Sequence, residues 1–575
     1  MALGLFVTGC ASLPSEVNRP ASSSLQDGAS TRLGRFVSSK ALAAGTRNDT
    51  GFALIGSAEL AFTSRMALIK AAEKTLDLQY YAIHEDDTTR RLLVAIKEAA
   101  GRGVRVRILL DDFNTAGKNA QVLKLAFEKN IEMRLFNPLP SGRASPLLRI
   151  VSSLRDAARL QRRMHNKIFV ADNSIAITGG RNLGETYFGQ SDGANFLDLD
   201  ILAAGRIARD LSTSFDQYWN NPLAYPVPTL MSAQEIDAIK VMPTVEALSA
   251  VAGDLSNEIT AKPTNQASAE SKPPSRPLVP LPAMPALPAL PSSPQSAVSA
   301  LNDDADLRLL NWTWAPATLL VDKPSKIAAD VDAVEASQDT AVDGLLQLLR
   351  QAQKEVLIVS AYFVPGAQMM AVFADMRARG VRVRVLTNSL ASNDAPAAHA
   401  GYARYRKALL GLGVEMFEMR ALQLGSVSSL GSIGGSSLTN RKGLSGLKDN
   451  TTGSTGGSIS GSSTGASRAS LHAKVVVIDG RLLVVGSMNL DLRSQLQNSE
   501  VAVVINSQRL ALETTQLIEP GLSLGAYRVQ MDNDGLIWKP PTNSGLPDTR
   551  VEPDATFSLR LLLKLIAPFA PDEML

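Results

Sequence analysis

The chain alternates repeatedly between two patterns of apolar residues. Segments such as 58–73 and 90–99 place apolar residues three and four positions apart, which predicts helices with one buried face. Segments such as 76–81 and 104–110 are short and alternate apolar with polar side chains, which predicts strands. Because helices and strands alternate along the chain, we predict an α/β fold with mixed sheets flanked by helices.

One helix-to-strand unit occurs twice. Residues 100–109 read Ala-Gly-Arg-Gly-Val-Arg-Val-Arg-Ile-Leu, and residues 378–386 read Ala-Arg-Gly-Val-Arg-Val-Arg-Val-Leu. Each copy follows a helical pattern and enters an alternating strand. The repeat predicts two halves that share one architecture.

Two tracts of low complexity interrupt this pattern. Residues 226 to about 305 are rich in Pro, Ala and Ser, which predicts an extended linker between the halves. Residues 425–470 are rich in Gly and Ser and contain no aromatic residue. Such a segment cannot bury a core, so we interpret it as a flexible insertion in the second half.

These tracts define the predicted domains. The C-terminal segment contains Phe557–Ile566, whose leucines and two basic residues fit either an interfacial amphipathic helix or a helix packed on the core. The predicted parts are an N-terminal tether (11–49), a first half (50–225), the linker (226–305), a second half (306–540) and the C-terminal segment (541–575).

The charge balance narrows the function classes. The chain has 575 residues, which is ample for two domains, and its 58 basic and 55 acidic residues leave a net charge of only +3. A dedicated nucleic-acid-binding protein would carry a strong basic excess. Aromatic residues make up 5% of the chain and offer few platforms for stacking bases. We therefore expect no nucleic-acid partner.

A repeated set of polar residues carries the candidate chemistry. Each half contains His-x-Lys, then an Asp after four further residues, then a pair of small residues and an Asn at the same offset. The chain has only four histidines, so two copies of this frame point to one site built from two halves. The copies are His165, Lys167, Asp172, Gly180 and Asn182, and His472, Lys474, Asp479, Ser487 and Asn489.

These residue types suit phosphodiester chemistry. Two lysines and two amides can hold the anionic phosphoryl group without a metal, and we expect neither a metal nor another cofactor. One imidazole can attack phosphorus and form a phosphohistidine, while the other protonates the leaving alcohol and deprotonates the incoming one. Histidine fits both tasks because its ordinary pKa, about 6.5, lies near the working pH.

The motifs also predict local structure. Residues 164–170 and 471–478 read as strands, in which His165 shares a face with Lys167 and His472 shares a face with Lys474. Small residues after each motif allow the backbone to approach a ligand closely.

The two frames resemble the HKD motifs of the phospholipase D superfamily. Their flanks, residues 179–188 and 486–494, are similar to those of bacterial cardiolipin synthases, and segments 362–365 and 314–316 point to the C-type branch. The resemblance covers most of residues 50–540. It implies two phospholipase D-like α-β-α sandwich halves related by pseudo-two-fold symmetry, with the active site at their interface.

The resemblance also implies roles for individual residues. By analogy, His165 is the nucleophile and His472 the general acid and base, although the sequence itself leaves their order open. An acidic residue after each motif would orient an imidazole: Glu500 fits in the second half, and Asp198, or alternatively Asp200, in the first, where the family's usual preceding Arg is absent. The motif acids Asp172 and Asp479, grouped here with the catalytic residues, are expected to brace the motif turns, whereas Asn182, Asn489, Gly180 and Ser487 would support the phosphate.

Three function classes follow from the resemblance. The favoured one is phosphatidyl transfer that makes cardiolipin, with the head-group glycerol of phosphatidylglycerol as acceptor and phosphatidylglycerol or phosphatidylethanolamine as donor. Hydrolysis of a lipid or, less favoured, a nucleic-acid diester would use the same residues with water as acceptor. A non-catalytic lipoprotein is disfavoured because both motifs are intact. The expected partners are phospholipids and a membrane surface, and the sequence predicts no particular protein partner.

The N-terminus contains a candidate processing signal. The apolar run 5–7 leads into Thr8-Gly9-Cys10, which resembles the lipobox of bacterial lipoproteins, whose cysteine is lipidated. No basic residue precedes Cys10, and we interpret residues 1–10 as a truncated lipoprotein signal. Cys10 is the only cysteine, so an intrachain disulfide is excluded. We expect a membrane-associated protein of the bacterial cell envelope, anchored at Cys10 and facing the periplasm.

Overall fold

The computed structural model describes most of both predicted halves. Residues 1–230 and 301–575 belong to one structural unit, and a second unit, residues 231–300, lies almost wholly outside the described residues. Cys10, most of the predicted linker and the Gly/Ser-rich tract up to residue 465 also lie outside them, apart from Leu430. The described residues are 13–46, 49–139, 161–191, 194–231, 235, 306–328, 339–424, 430, 466–542 and 544–566.

Strands and helices alternate as the apolar pattern predicts. The strands are β1 (Thr50–Ile55), β2 (Thr75–Tyr80), β3 (Arg105–Asp111), β4 (Ile131–Phe136), β5 (Ile168–Ala171), β6 (Ile175–Gly179), β7 (Ala194–Leu197), β8 (Asp200–Ala204), β9 (Ala224–Pro226), β10 (Thr313–Ala315), β11 (Ala317–Val321), β12 (Glu355–Ser360), β13 (Phe363–Val364), β14 (Arg382–Asn388), β15 (Glu415–Met419), β16 (Leu422–Leu424), β17 (Ala466–Leu471), β18 (Lys474–Ile478), β19 (Leu482–Gly486), β20 (Leu490–Asp491), β21 (Val501–Asn506), β22 (Ala526–Asp532) and β23 (Gly535–Lys539). The α-helices are α1 (Arg32–Ala43), α2 (Ala58–Ala71), α3 (Asp87–Gly101), α4 (Arg206–Trp219), α5 (Val227–Leu230), α6 (Ser325–Ala328), α7 (Ala341–Arg350), α8 (Gly366–Ala378), α9 (Pro396–Gly411), α10 (Leu492–Leu496), α11 (Gln508–Leu524) and α12 (Phe557–Ile566). Short 3-10 helices occupy Gly28–Ser30, Asp112–Asn114, Gly117–Phe127 and Glu185–Tyr187.

Two large sheets repeat one strand order. Within the described ranges, the first sheet runs β10-β1-β8-β6-β5-β2-β3-β4-β9 and the second β11-β21-β19-β18-β12-β14-β15-β22-β23. The order from β1 to β9 matches the order from β11 to β22 strand for strand, and each central pair, β2 with β3 and β12 with β14, is parallel. The two halves therefore share a topology, and the strand that follows each His-x-Lys motif, β5 or β18, occupies the same central position.

The structure divides the halves differently from the predicted boundaries. Strand β10, which the sequence places in the second half, pairs antiparallel with β1 of the first sheet. At the other end, β9 extends to Pro226 and pairs with β4, so part of the predicted linker belongs to the first sheet. The first sheet thus takes in Pro226 and β10, both of which follow its predicted C-terminal boundary at residue 225.

A single hydrophobic core contains residues from both sheets. Ile168 and Val170 of β5 and Val475 and Val477 of β18 are all buried in it, together with apolar residues of α4 and α11. Because side chains alternate along a strand, the intervening Val476 faces a different core, formed with helices α7 and α8. Complete burial of each such side chain contributes roughly 1.5–3 kcal/mol, so the shared core stabilises the association of the halves.

The segment predicted as a tether packs against the first half. Leu33 and Val37 of α1 are buried, and the Arg107 guanidinium donates to the carbonyl of Ser22 at 3.0 Å. Arg107 also contacts both carboxylate oxygens of Asp77, at 2.7 and 2.9 Å. This buried arginine therefore joins the N-terminal segment to the middle of the first sheet.

None of the described helices is both long and apolar enough to span a bilayer.

We predict that Arg107→Ala lowers the free energy of unfolding by about 3–5 kcal/mol, because it leaves the buried carboxylate of Asp77 without its cation. Urea denaturation followed by circular dichroism measures the change. Arg382→Ala, which removes the exposed ion pair with Glu415, is the matched control and should change stability by at most about 1 kcal/mol. Equal effects of the two substitutions would show that burial of the Arg107–Asp77 pair does not determine the loss.

Candidate active site

Both motif histidines lie just before a strand and not within one. Strand β5 begins at Ile168 and β18 begins at Lys474, so the predicted strands 164–170 and 471–478 start too early. The reason is that the backbone around each histidine bonds to the opposite half. The N–H of His165 donates to the carbonyl of Ser499 at 2.9 Å, and the N–H of His472 donates to the carbonyl of Leu197 at 2.8 Å.

The side chains repeat this crossed arrangement. Nδ1 of His165 lies 3.0 Å from both carboxylate oxygens of Glu500, and Nδ1 of His472 lies 2.7 Å from Oδ2 of Asp198. Each imidazole is therefore oriented by an acid from the other half, and that acid directly follows the residue whose carbonyl accepts the histidine N–H. With Nδ1 turned to a carboxylate, Nε2 of each ring remains for chemistry.

Hydroxyl groups hold the Glu500 carboxylate. Ser487 and Ser494 both donate to it, the latter at 3.0 Å. Ser487, predicted to support the phosphate, thus supports an imidazole through Glu500. Sequence reasoning missed Ser494, which lies on the short helix α10, although its hydroxyl character and place beside the second motif were visible.

The corresponding position in the first half is Gly180. A Cβ atom at Gly180 would fall 2.8 Å from Cγ of Asp198, so the short Asp carboxylate fills the space that a side chain would need. The alternative acid Asp200 has a different role: it forms a buried ion pair with Arg65 at 2.9 Å and contacts Arg181 at 3.5 Å. The structure thus places Asp198, and not Asp200, against an imidazole.

Both motif lysines are buried between the histidines and acids. Nζ of Lys167 donates to the carbonyl of His165 at 2.7 Å, and Nζ of Lys474 donates to the carbonyl of His472. Burial lowers the pKa of Lys167 to about 7, with Glu500 opposing the change and Lys474 adding to it. Burial lowers the pKa of Lys474 as well, against the charges of Asp198 and Glu500. The two cations share a dry space, which favours a ligand that brings negative charge.

The histidines and their acids differ in proton affinity. Burial, followed by the charges of Lys167 and Lys474, lowers the pKa of His165 well below its ordinary value, and burial also lowers the pKa of His472. Burial raises the pKa of Glu500 to about 7. Burial opposes ionisation of Asp198 too, but the hydrogen bond and charge of His472 outweigh it and lower the pKa of Asp198.

The two motif asparagines have unequal partners. Oδ1 of Asn182 accepts from the N–H of Ala82 at 3.2 Å, and its Nδ2 donates to the hydroxyl of Tyr187 at 3.0 Å, which leaves one amide hydrogen for a ligand. Oδ1 of Asn489 is buried and accepts from no residue in the described ranges. The oxygen of Asn489 is therefore available to accept from a hydroxyl group of a substrate.

The motif acids do not belong with the reacting groups. Asp172 accepts from the backbone N–H groups of residues 73–75 at 2.8–2.9 Å, and Asp479 accepts from those of residues 353–355 at 2.7–3.1 Å. Both have positive φ, 51° and 54°, as the turn at the far end of β5 or β18 requires. The structure thus places both carboxylates on backbone N–H groups, as the expected bracing role requires, and the catalytic grouping of Asp172 and Asp479 stays a prediction.

Aromatic side chains form walls that the sequence did not reveal. The ring of Tyr81 lies 5.2 Å from that of His165, while Tyr187 and Phe196 lie 5.2 and 5.0 Å from that of His472. His84 stacks on Tyr187 at 6.3 Å, and so contacts the wall and not the reacting centre. These rings border both imidazoles, whose side chains are 11% exposed in His165 and 8% exposed in His472.

The fourth histidine is structural. His399 is fully buried and lies 3.4 Å from Glu552 and 3.1 Å from Arg406, in the second half. Across the described part of the chain, no group of three or more His, Cys, Asp or Glu side chains is placed to hold a metal ion.

Comparisons with known proteins agree with this geometry. The family described as "Cardiolipin synthase, PLD-like domain" matches residues 66–219, 345–430 and 450–520. Cardiolipin synthase C of Escherichia coli is 33% identical over 521 residues, which cover 90% of this chain and 94% of that protein. An uncharacterized protein of Helicobacter pylori is 28% identical over 513 residues, which cover 87% of this chain and 85% of that protein.

The fold is shared with a solved structure. Phosphatidylserine synthase from Haemophilus influenzae superposes with a TM-score of 0.52 and 13% identity, covering 93% of this chain and 98% of that one. At this identity the likeness concerns the fold alone. The expected α/β fold of two phospholipase D-like halves is confirmed.

We predict that Gly180→Ala lowers turnover of a phosphodiester by about 100-fold or more, because the added methyl group displaces Asp198 from His472. Release of p-nitrophenol from bis(p-nitrophenyl) phosphate measures the rate. Gly101→Ala is the control, since a Cβ there meets no atom within 4 Å, and it should leave the rate unchanged. Full activity of Gly180→Ala would show that turnover does not depend on the position of the Asp198 carboxylate.

We also predict that sulfate binds about tenfold more weakly at pH 8 than at pH 6. Above its pKa of about 7, Lys167 loses its charge while Glu500 gains one, and both changes oppose an anion that does not itself titrate in this range. Isothermal titration calorimetry measures the affinity. Lys167→Gln should bind more weakly and show a smaller pH dependence, because only the ionisation of Glu500 remains, whereas Lys407→Gln, at an exposed lysine, should behave like the wild type. A sulfate affinity of the wild type that does not change with pH would show that Lys167 and Glu500 do not titrate near pH 7 beside the bound anion.

Proposed function

The chain belongs to the cardiolipin synthase family of phospholipase D-like proteins, and we propose that it transfers a phosphatidyl group to phosphatidylglycerol and so makes cardiolipin. The observation that carries the proposal is the pair of crossed imidazole–carboxylate contacts beside two buried lysines. This arrangement offers one nucleophile, one proton donor and two cations around a single phosphate. The similarity to cardiolipin synthase C along nearly the whole chain supports the choice of lipid substrates.

The first step forms a covalent intermediate. The Nδ1–H group of His165 donates a hydrogen bond to Glu500, which leaves the lone pair on Nε2. This lone pair attacks the phosphorus of the donor phospholipid. The bond from phosphorus to the head-group oxygen breaks, and the Nε2 proton of His472 passes to that oxygen. Lys167 and Lys474 stabilise the charge that develops on the remaining phosphoryl oxygens.

The second step reverses the proton transfer. Nε2 of His472, now neutral, accepts a proton from a head-group hydroxyl of phosphatidylglycerol, and the resulting oxygen attacks the phosphohistidine. The bond to Nε2 of His165 breaks, and cardiolipin leaves. Tyr81, Tyr187 and Phe196 border the two imidazoles and reduce the surface through which water reaches them, which supports an alcohol acceptor over hydrolysis.

The acids support this order of roles. Asp198 has a lowered pKa and stays ionised, so it stabilises the imidazolium that His472 must form. Glu500 has a pKa of about 7 and offers a weaker negative charge, which suits a histidine that attacks in its neutral form. His165, whose pKa is well below the ordinary value, is already neutral at working pH.

The lipids and the location complete the proposal. The acceptor is phosphatidylglycerol, and the donor is phosphatidylglycerol or phosphatidylethanolamine, since both present the same phosphodiester.

We place the protein in the bacterial cell envelope, attached through a lipid at Cys10 and facing the periplasm. The lipobox-like sequence at residues 8–10 supports this location. Metabolic labelling with a fatty acid that depends on Cys10 tests the anchor; label surviving Cys10→Ser would rule it out.

We predict that the protein restores cardiolipin in a bacterial strain that lacks its own cardiolipin synthases, and that His165→Ala and His472→Ala each abolish it. Thin-layer chromatography and mass spectrometry of total lipids measure the product. His399→Gln, at the structural histidine, serves as a control and should retain activity wherever the protein accumulates normally. Phosphatidic acid that rises without cardiolipin would instead favour a phospholipase.

Trapping of the covalent intermediate distinguishes the nucleophilic histidine from the general acid and base. With a radiolabelled phosphatidyl ester of p-nitrophenol as donor, whose leaving group needs no protonation, phosphoryl-enzyme should accumulate in His472→Ala, which lacks the proton acceptor for the second step, and should be absent from His165→Ala. Acid-labile, alkali-stable label would identify a phosphohistidine. Label in His165→Ala alone would reverse the assignment.

A further inference from the structure

The C-terminal helix α12 exposes large apolar side chains to solvent. Phe557 is 79% exposed, Leu561 47%, Leu562 43% and Leu565 62%. A helix that borders water normally presents polar residues on that side. The fold alone therefore does not account for the outer surface of α12.

These side chains form one continuous face. Successive residues of an α-helix are about 100° apart, so Phe557, Leu561 and Leu565 form a stripe and Leu562 widens it to an arc of about 140°. On the other side of the helix, Leu559 and Leu563 are partly buried, and α12 packs against α9. One apolar side of the helix thus packs on the protein, and a second apolar side is exposed to solvent.

No other described element has such a surface. Fourteen large hydrophobic residues are exposed in the described part of the chain, and four of them fall within these nine positions of α12. The others are spread among many elements, as with Leu42 of α1 and Leu512 of α11. Scattered exposed residues are normal, whereas a contiguous face marks an interaction site.

The charges beside the face indicate what it contacts. The helix contains Arg560 and Lys564 and no acidic residue, and Lys564 is exposed at one edge of the apolar arc. An apolar face bordered by cations is complementary to a bilayer with anionic head groups, into whose interface such a helix inserts. A water-filled groove of another protein would not require the cations.

Helix α12 packs against a helix that begins close to the active site. This neighbour, α9, begins two residues after Asp394, whose carboxylate accepts from the hydroxyl of Tyr362 at 2.9 Å and whose charge acts on His472. Helix α9 thus borders both the surroundings of the active site and α12.

We propose that the face formed by Phe557, Leu561, Leu562 and Leu565 docks on the surface of an anionic bilayer and holds the site at the membrane. The proposal rests on the proposed function: phosphatidylglycerol is an anionic lipid that stays in the bilayer, so an enzyme that uses it must work at the bilayer surface. It concerns binding and not turnover, so the two can be tested separately.

The experiment uses the full-length chain with Cys10→Ser, which removes the proposed lipid anchor. Flotation with vesicles of phosphatidylglycerol and phosphatidylethanolamine measures binding. Leu561→Glu with Leu565→Glu should reduce the bound-to-free ratio by roughly tenfold or more, since it removes buried apolar area and adds repulsion. The matched control, Leu42→Glu with Leu512→Glu, adds the same charge elsewhere and should bind like the parent.

A second measurement does not depend on the stability of the charged variant. Cys10→Ser leaves the chain without cysteine, so Phe557→Cys provides a single site for an environment-sensitive fluorophore. Its emission should shift to shorter wavelength when vesicles are added, while the same label at Leu512→Cys should not respond.

Three results would overturn the proposal. The first is equal flotation of the parent, the α12 variant and the control. The second is a label at residue 557 that ignores vesicles. The third is an α12 variant that changes the sedimentation coefficient but not flotation, which would identify the face as a contact between copies of the chain. Adding His165→Ala to the parent should leave flotation unchanged, so a failed activity and a failed docking face remain distinguishable.

Discussion

The active site depends on hydrogen bonds that cross between the two halves. The backbone N–H of each motif histidine donates to a carbonyl of the opposite half, and the next residue of that half supplies the carboxylate for the imidazole. Neither half therefore contains an oriented histidine of its own. The shared core behind β5 and β18 keeps the two backbones in register. If one half shifted against the other, both imidazoles would lose their alignment together.

This arrangement brings two lysines and two carboxylates into a buried space beside the histidines. Burial lowers the pKa of both lysines and raises that of Glu500, because it disfavours the charged form of each group. The negative charge of a phosphodiester favours the protonated lysines. The same desolvation that destabilises the lysines strengthens their interaction with the substrate, since no water screens them. Binding and activation of the phosphoryl group thus have one physical origin.

Much of this organisation could be predicted from the chain, and the exceptions have physical reasons. The paired motif identified both histidines and both lysines, because residue type and spacing carry that information, whereas the candidate acids came from the resemblance to the family. Sequence could not show that Glu500 serves His165, since partners more than three hundred positions apart are joined only by the packing of the halves. Tyr81 and Ser494 were missed for another reason: neither has a distinctive spacing, although Ser494 lies only six residues before Glu500. The strand boundaries failed because the backbone of each histidine pairs across the interface, which local alternation does not record.

The duplicated frame does not make the two halves chemically equal. At matching positions, the first half has Gly180 beside the short acid Asp198, and the second has Ser487 donating to the longer acid Glu500. The first pair gives an ionised carboxylate next to His472, while the second gives a carboxyl group whose pKa is near 7 next to His165. A reaction through a covalent intermediate needs one neutral imidazole that attacks and one protonated imidazole that donates. The difference between the two acids favours the proton on His472, which is the direction that our proposed roles require.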